Sequence, residues 1–281
     1  MNLQEIAELE GIKLMDTCSF QEVGGRLIRE VLYDCDFPLS EIPPEELSVC
    51  TYYFNNGVDL MLRPDFYSIS EVASEMEPFM DCVNESINFH KEAMNFKKIK
   101  YNQRHMKTRI KKILGLAEAY REDRNPSLTK QNLQQLQAIE RSGNRLHNLI
   151  LKKDIRESFD EEQKIQYEKF LPHFLKMSEE HNLTRDYSVL YINLKHRNPC
   201  DFYTDEKIMS TALTLADRNK VILISNDSDL TRMFKCYNGT SSKTFGFPLN
   251  PLLLFSDFLS QDGYALMEEI HPVHSSAMIS R

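Results

Sequence analysis

Apolar positions along this chain fall into two patterns. Short runs of four to six apolar or β-branched residues lie near its two ends. "KVILIS" (Lys220–Ser225) is nearly continuous, as a parallel strand covered on both faces would be. "GIKLMD" (Gly11–Asp16) and "DFYSIS" (Asp65–Ser70) read as two more strands, and "YSVLYINL" (Tyr187–Leu194) as a weaker fourth. Stretches of helical period separate them: Glu22–Tyr33, Ser70 onward and Asp205–Asp217. Strands alternating with helices predict an α/β fold with a parallel sheet. "FGFPLNPLLLF" (Phe245–Phe255) reads as a last strand and turn on that core.

The middle of the chain follows the second pattern. From about Glu85 to Glu180 glycine and proline are sparse, and Lys, Gln, Glu, Leu and Arg dominate. Phe96, Ile99, Met106, Ile110, Ile113 and Ala117 lie at helical, near-heptad spacing. Asn125-Pro126 breaks this run, because a residue before proline avoids the α region. A second run carries Leu133, Leu136, Ile139, Leu146, Leu149 and Ile150, and a third opens at Ser158, a candidate N-cap with Glu161 three residues on. The expected organisation is a first half of the core over residues 1–84, a large α-helical insertion over 85–180, and a second half over 181–281.

Composition narrows the class. The 281 residues carry a net charge of −8 and a pI near 5.6, which disfavours a general nucleic-acid coat but leaves room for a local basic face. The first residues show no apolar signal segment, and no stretch approaches the ~18 apolar residues of a membrane span. The six cysteines include no C-x-x-C pair, and the eight histidines no H-E-x-x-H pair. A reducing, cytoplasmic setting without membrane attachment is therefore expected.

Candidate chemistry lies in carboxylates at strand ends and helix starts. Asp16 closes the first strand. Glu75 sits about one turn into the helix after the second. Asp205 opens a helix, and Asp227 and Asp229 follow the last of the three strong strands. Residues just past the carboxyl ends of parallel strands collect along one edge, so these acids can meet without being neighbours in sequence. Two unit charges about 4 Å apart repel by roughly 4 kcal/mol at an effective dielectric near 20. Such a cluster needs protons or a divalent cation, and an all-oxygen donor set favours Mg²⁺ or Mn²⁺ over Zn²⁺. Such an ion serves phosphodiester hydrolysis. Taken singly, each acid also has a structural reading: Asp16 and Asp205 as helix caps or first-turn acids, Asn226-Asp227-Ser228 as an Asx-turn that starts a helix, and Glu75 as a solvated helix residue.

The order of these segments resembles the PIN domain family of nucleases. "KLMDTCSF" is similar to the family's first strand ending in D-T-S or D-T-N, and "YSISEVASEM" to its second strand and following helix. "TDEKIMSTAL" matches D-x-x-I-x-x-x-A through Asp205, Ile208 and Ala212. "LISNDSDL" matches T-N-D-x-D-F through Asn226, Asp227 and Asp229, with Ser225 in place of Thr and Leu230 in place of Phe. The resemblance spans residues 10–84 and 186–240. It implies a metal-dependent endonuclease that cuts single-stranded RNA, with Asp16, Glu75, Asp205 and Asp227 as Mg²⁺ or Mn²⁺ ligands and Asp229 as a support or a ligand to a second ion. Asn226 and Thr17 would orient ligands or water. Cys18 departs from the small polar residue often found there, and the insertion exceeds that of toxin-type members. A structure-selective DNA nuclease and an inactive RNA- or partner-binding scaffold remain alternatives. A haloacid-dehalogenase-like phosphatase would need an Asp at position 18.

One further feature stands against the overall acidity. Lys91 to Lys112 holds nine Lys and Arg residues, among them Lys97, Lys98, Lys100, Arg104 and Lys107, against the single acid Glu92. With Phe96 and Tyr101 interleaved, it reads as a phosphate-tracking arm with aromatics for stacking. A solvated helix face and a docking surface for a protein partner or a second copy of the chain are its other readings.

Overall fold

The sheet is level at its carboxyl edge, and that sets where the candidate residues stand. A computed structural model describes residues 3–17, 19, 44–94, 127–181, 203–225, 227–256 and 266–270. The chain divides into two compact units. One comprises Met1–Ser19, Leu60–Ser74 and Leu149–Arg281, and the other Phe20–Asp59 and Glu75–Asn148. The division cuts the α-helical middle differently from the expected 85–180 insertion.

The first unit holds a five-stranded sheet: β1 (Ile12–Met15), β2 (Phe66–Tyr67), β3 (Val221–Ile224), β4 (Leu252–Ser256) and β5 (Leu266–Ile270), in the order β2-β1-β3-β4-β5. The first four are parallel, and β5 runs antiparallel to β4. The three strongest apolar runs are thus strands, although β2 is only two residues long. All four positions of β3 are buried, which explains its unbroken apolar run. Met15 pairs with Ile224, and Ile224 with Phe255, so β1, β3 and β4 end side by side. At the opposite edge, Lys13 is buried on β1. Its ammonium bonds the Asp65 carboxylate at 2.5 Å and the Leu9 carbonyl.

Helices Thr204–Ala216 and Ser228–Cys236 pack on this sheet. Among the described residues the α-helices are, in chain order, α1 (Leu3–Ala7), α2 (Pro44–Met61), α3 (Ser70–Met94), α4 (Ser127–Lys152), α5 (Glu161–His181), α6 (Thr204–Ala216), α7 (Ser228–Cys236) and α8 (Ser242–Phe245). α6 is almost wholly buried, through Ile208, Met209, Ala212, Leu213, Leu215 and Ala216, and packs along α5. Its last turn lies at the amino edge, where the Asn250 N–H bonds the Ala216 carbonyl at 2.9 Å just before β4. Its first turn therefore faces the carboxyl edge.

α5, expected within the insertion, belongs to the sheet's unit because its buried Phe170, Phe174 and Met177 face this core. Its N-cap is also not Ser158. The Asp160 carboxylate accepts the Gln163 N–H at 2.9 Å, and the Gln163 side chain accepts the Asp160 N–H at 3.2 Å, a capping box two residues further on. Ser158 instead donates its hydroxyl to the Ile155 carbonyl in the 3₁₀ turn Ile155–Ser158.

The second unit is helical among the described residues. It holds most of α2, the part of α3 from Glu75 on, and α4 up to Asn148. Leu133, Leu136, Ile139 and Leu146 are buried, as their helical spacing predicts. Val83, Ile87, Leu47 and Phe54 are buried in the same unit, and the Ser142 hydroxyl bonds Asn55 at 2.8 Å. The sequence reading missed α2. The expected helix Glu22–Tyr33, the strand Tyr187–Leu194, the run Phe96–Ala117 and its break at Asn125-Pro126 lie outside the described residues.

Candidate functional site

The level ends of β1 and β3 put Asp16 beside Ser225, and a single hydroxyl joins the two acidic segments. Ser225 Oγ, fully buried, donates to Asp16 Oδ2 at 2.6 Å and accepts the backbone N–H of Asp227 at 2.9 Å. The other oxygen of Asp16 accepts the Thr17 N–H at 2.6 Å. Ser19 closes the loop, donating its hydroxyl to the Ile224 carbonyl at 2.6 Å. Asp16 and Asp227 are 2% and 5% exposed, so two buried carboxylates are anchored to one buried serine.

Asp227 is also the N-cap of α7. Its backbone is extended, and its Oδ1 accepts the Asp229 N–H at 2.6 Å. The Thr231 hydroxyl and N–H bond the Asp227 carbonyl at 2.9 and 3.1 Å. The expected turn that starts a helix is thus present, and the cap itself presents the acid at the sheet edge. Asp229 is 8% exposed and lies 3.5 Å from the Arg232 guanidinium.

Asp205 lies half-buried in the first turn of α6, at the same edge. Glu75 lies half-buried on α3 in the other compact unit. Asn226, Cys18 and the basic residues Lys97, Lys98, Lys100, Arg104 and Lys107 lie outside the described residues. Among the described residues, no group of three or more Asp, Glu, His or Cys side chains comes together closely enough to hold a metal ion. Asp16 and Asp227 are brought together through Ser225.

Sequence reasoning missed a second cluster beside this one. Ser68, just past β2, donates its hydroxyl to the Met15 carbonyl at 2.7 Å, so the start of α3 stands next to Asp16 along the edge. There Arg156 holds two carboxylates. It meets Glu71 through two bonds, at 3.2 and 2.5 Å, and Asp154 through two more, at 2.9 and 2.5 Å. Asp154 also accepts the Ser70 N–H at 2.9 Å, and Lys207 of α6 pairs with Glu71 at 2.9 Å. Burial pushes the Glu71 and Asp154 carboxyls up. The Arg156 bonds, with that of Lys207 on Glu71, outweigh it and hold both below their usual values. The same carboxylates hold Arg156 charged. No short-range spacing marks this cluster, since Glu71 and Arg156 stand 85 residues apart.

The chain matches no protein-family model, no curated protein and no solved structure. Among the described residues no helix is long and apolar enough to cross a membrane.

Proposed function

We propose that this edge is the active site of a PIN-like, metal-dependent endonuclease that hydrolyses phosphodiester bonds in single-stranded RNA. The observation that carries the reading is the Ser225 joint, which holds the acid ending β1 and the acid capping α7 at one buried point. The donor set fits Mg²⁺ or Mn²⁺: the acids are hard oxygen donors, held by a hydroxyl and backbone N–H groups, and no Cys or His joins them in the resemblance. A bound divalent ion would supply an activated water and charge neutralisation at the scissile phosphate.

In this reading Asp16 and Asp227 are the principal ligands. Asp205 joins them, and Asp229 supports Asp227 or a second ion. Thr17 and Asn226 orient ligands or water. Ser225 and the α7 cap keep two like charges in place without rotamer freedom. In this reading the part of the helical middle that precedes α5 is inserted in the PIN-like core, and its Lys97, Lys98, Lys100, Arg104 and Lys107 contact the RNA backbone. The protein works in the cytoplasm.

The test is hydrolysis of a single-stranded RNA by purified protein with Mn²⁺ or Mg²⁺. Asp227→Asn should lose more than the roughly 100-fold that outer-shell changes cause at metal sites. Equal cleavage by the two proteins sinks the reading. Parallel single-stranded and flap DNA substrates separate the RNA enzyme from a structure-selective DNA nuclease. A second reading, an inactive scaffold for RNA or a protein partner, is favoured by the lack of a three-acid group among the described residues. Calorimetric titration with Mn²⁺ decides between them, because a scaffold has no need of Asp227-dependent metal affinity.

A further inference from the structure

The first turn of α6 breaks two local rules. Tyr203, at its N-cap position, is a non-glycine residue in the left-handed region (φ 47°, ψ 43°), and no side chain caps the helix there. The Thr204 hydroxyl beside it is buried with no hydrogen-bond partner among the described residues. Lys207 then places a cation in the first turn, where the helix dipole disfavours positive charge. Asp205 and Glu206 suit the dipole in this turn, but a start without a side-chain cap draws on tertiary contacts for its position. One such contact is the Lys207–Glu71 ion pair at 2.9 Å, between side chains that are 24% and 16% exposed.

Glu71 is itself braced. Two bonds donated by Arg156 fix its carboxylate plane, and two more that Arg156 donates to Asp154 fix the guanidinium. Asp154 bridges to Ser68 in parallel fashion and so belongs to the β2 end of the sheet. A continuous chain of charge-assisted bonds thus runs from the sheet edge through Asp154, Arg156 and Glu71 to Lys207. Asp205 lies two residues before Lys207 in the same helical turn.

Resting on the active-site reading above, we propose that Lys207, braced by Glu71 and Arg156, is a positioning residue that sets Asp205 at the carboxyl edge for metal binding. Lys207 does not touch metal or substrate in this role. It acts through the placement of the α6 turn.

The sign of one mutation separates this role from a simple charge effect. Removing a cation near a metal site tightens divalent binding by relieving repulsion. Removing a positioning contact weakens it. Mn²⁺ affinity is measured by calorimetry on the full chain for wild type, Asp227→Asn, Asp205→Asn, Lys207→Met, Lys207→Arg and the Asp205→Asn/Lys207→Met double variant. Lys207→Met should bind Mn²⁺ at least about 5-fold more weakly, within the range outer-shell partners command. Lys207→Arg should recover most of the affinity. The double variant should bind no more weakly than Asp205→Asn alone, because Lys207 acts through that carboxylate.

Unchanged or tighter binding by Lys207→Met overturns the positioning role and leaves the active-site reading intact, provided that wild type binds Mn²⁺ in an Asp227-dependent way. So does a double variant whose losses multiply. Wild type without Asp227-dependent binding removes both. Should Lys207→Met fail to fold, Glu71→Asp shortens the brace by one methylene with every charge kept. It should weaken Mn²⁺ by a similar factor, and wild-type affinity in that variant refutes the role.

Discussion

Ser225→Ala removes one oxygen atom and tests the joint on which the site is built. Ser225 is fully buried, and its hydroxyl donates to Asp16 Oδ2 at 2.6 Å while accepting the Asp227 N–H at 2.9 Å. A hydrogen bond to a charged group contributes about 1.5–3 kcal/mol, and a buried N–H left without a partner costs about 1–3 kcal/mol. The two losses share one atom, and water entering the gap recovers part of each, so they do not add in full. The expected cost is about 3 kcal/mol, a large share of the 5–15 kcal/mol by which domains are typically stable. Urea unfolding followed by far-ultraviolet circular dichroism measures it. A chain of two compact units need not unfold in one step, so the shift should appear in the transition of the unit carrying the sheet. If the edge binds metal, Mn²⁺ should stabilise wild type more than the variant, since the loosened Asp16 no longer stands in a fixed relation to Asp227. A cost below about 1 kcal/mol would put Ser225 among ordinary substitutions and refute the joint.

Two further substitutions follow from the same unit. Arg156→Met leaves Glu71 and Asp154 without their main cation, and because the group is partly exposed it should cost about 2–3 kcal/mol, less than the 3–5 kcal/mol of a fully buried pair. Both carboxyls are held below their unfolded values of 4.5 and 3.8, so their contribution is complete above those values and fades as pH falls below them. Melting temperatures of wild type and variant should therefore converge in acid, and a gap that stays constant from neutral pH to pH ~3 contradicts the ion-pair account. Gly11→Ala should cost about 2–3 kcal/mol, because Gly11 has φ +129° and an added Cβ would meet the Lys220 carbonyl oxygen at 2.7 Å. Gly239→Ala, where a Cβ meets nothing within 4 Å, should be close to neutral in the same thermal melt.

What was legible in the sequence was whatever local burial dictates. β3 reads as an apolar run because both its faces are covered, and α4 shows its period because Leu133, Leu136, Ile139 and Leu146 share one buried face. The acid after β1 and the acid after β3 were visible for the same reason, since a carboxylate that ends a buried strand interrupts a strong pattern. α2 was missed because Asn55-Asn56-Gly57 in its interior has the residues of a turn, and burial of Leu47, Phe54, Val58 and Met61 overrides that preference. Which unit holds α5 was not legible, because an amphipathic helix shows that it has a buried face, not which core receives it. The sharpest case is the pair Glu71 and Glu75, four residues apart and one turn apart on α3. Pattern alone makes them near-equivalent, and the family resemblance chooses Glu75. The structure commits Glu71 to Arg156 and Lys207 inside the sheet's unit, while Glu75 falls in the other. The partners that distinguish them come from distant parts of the chain, so nothing in the ten residues around either glutamate carries the difference.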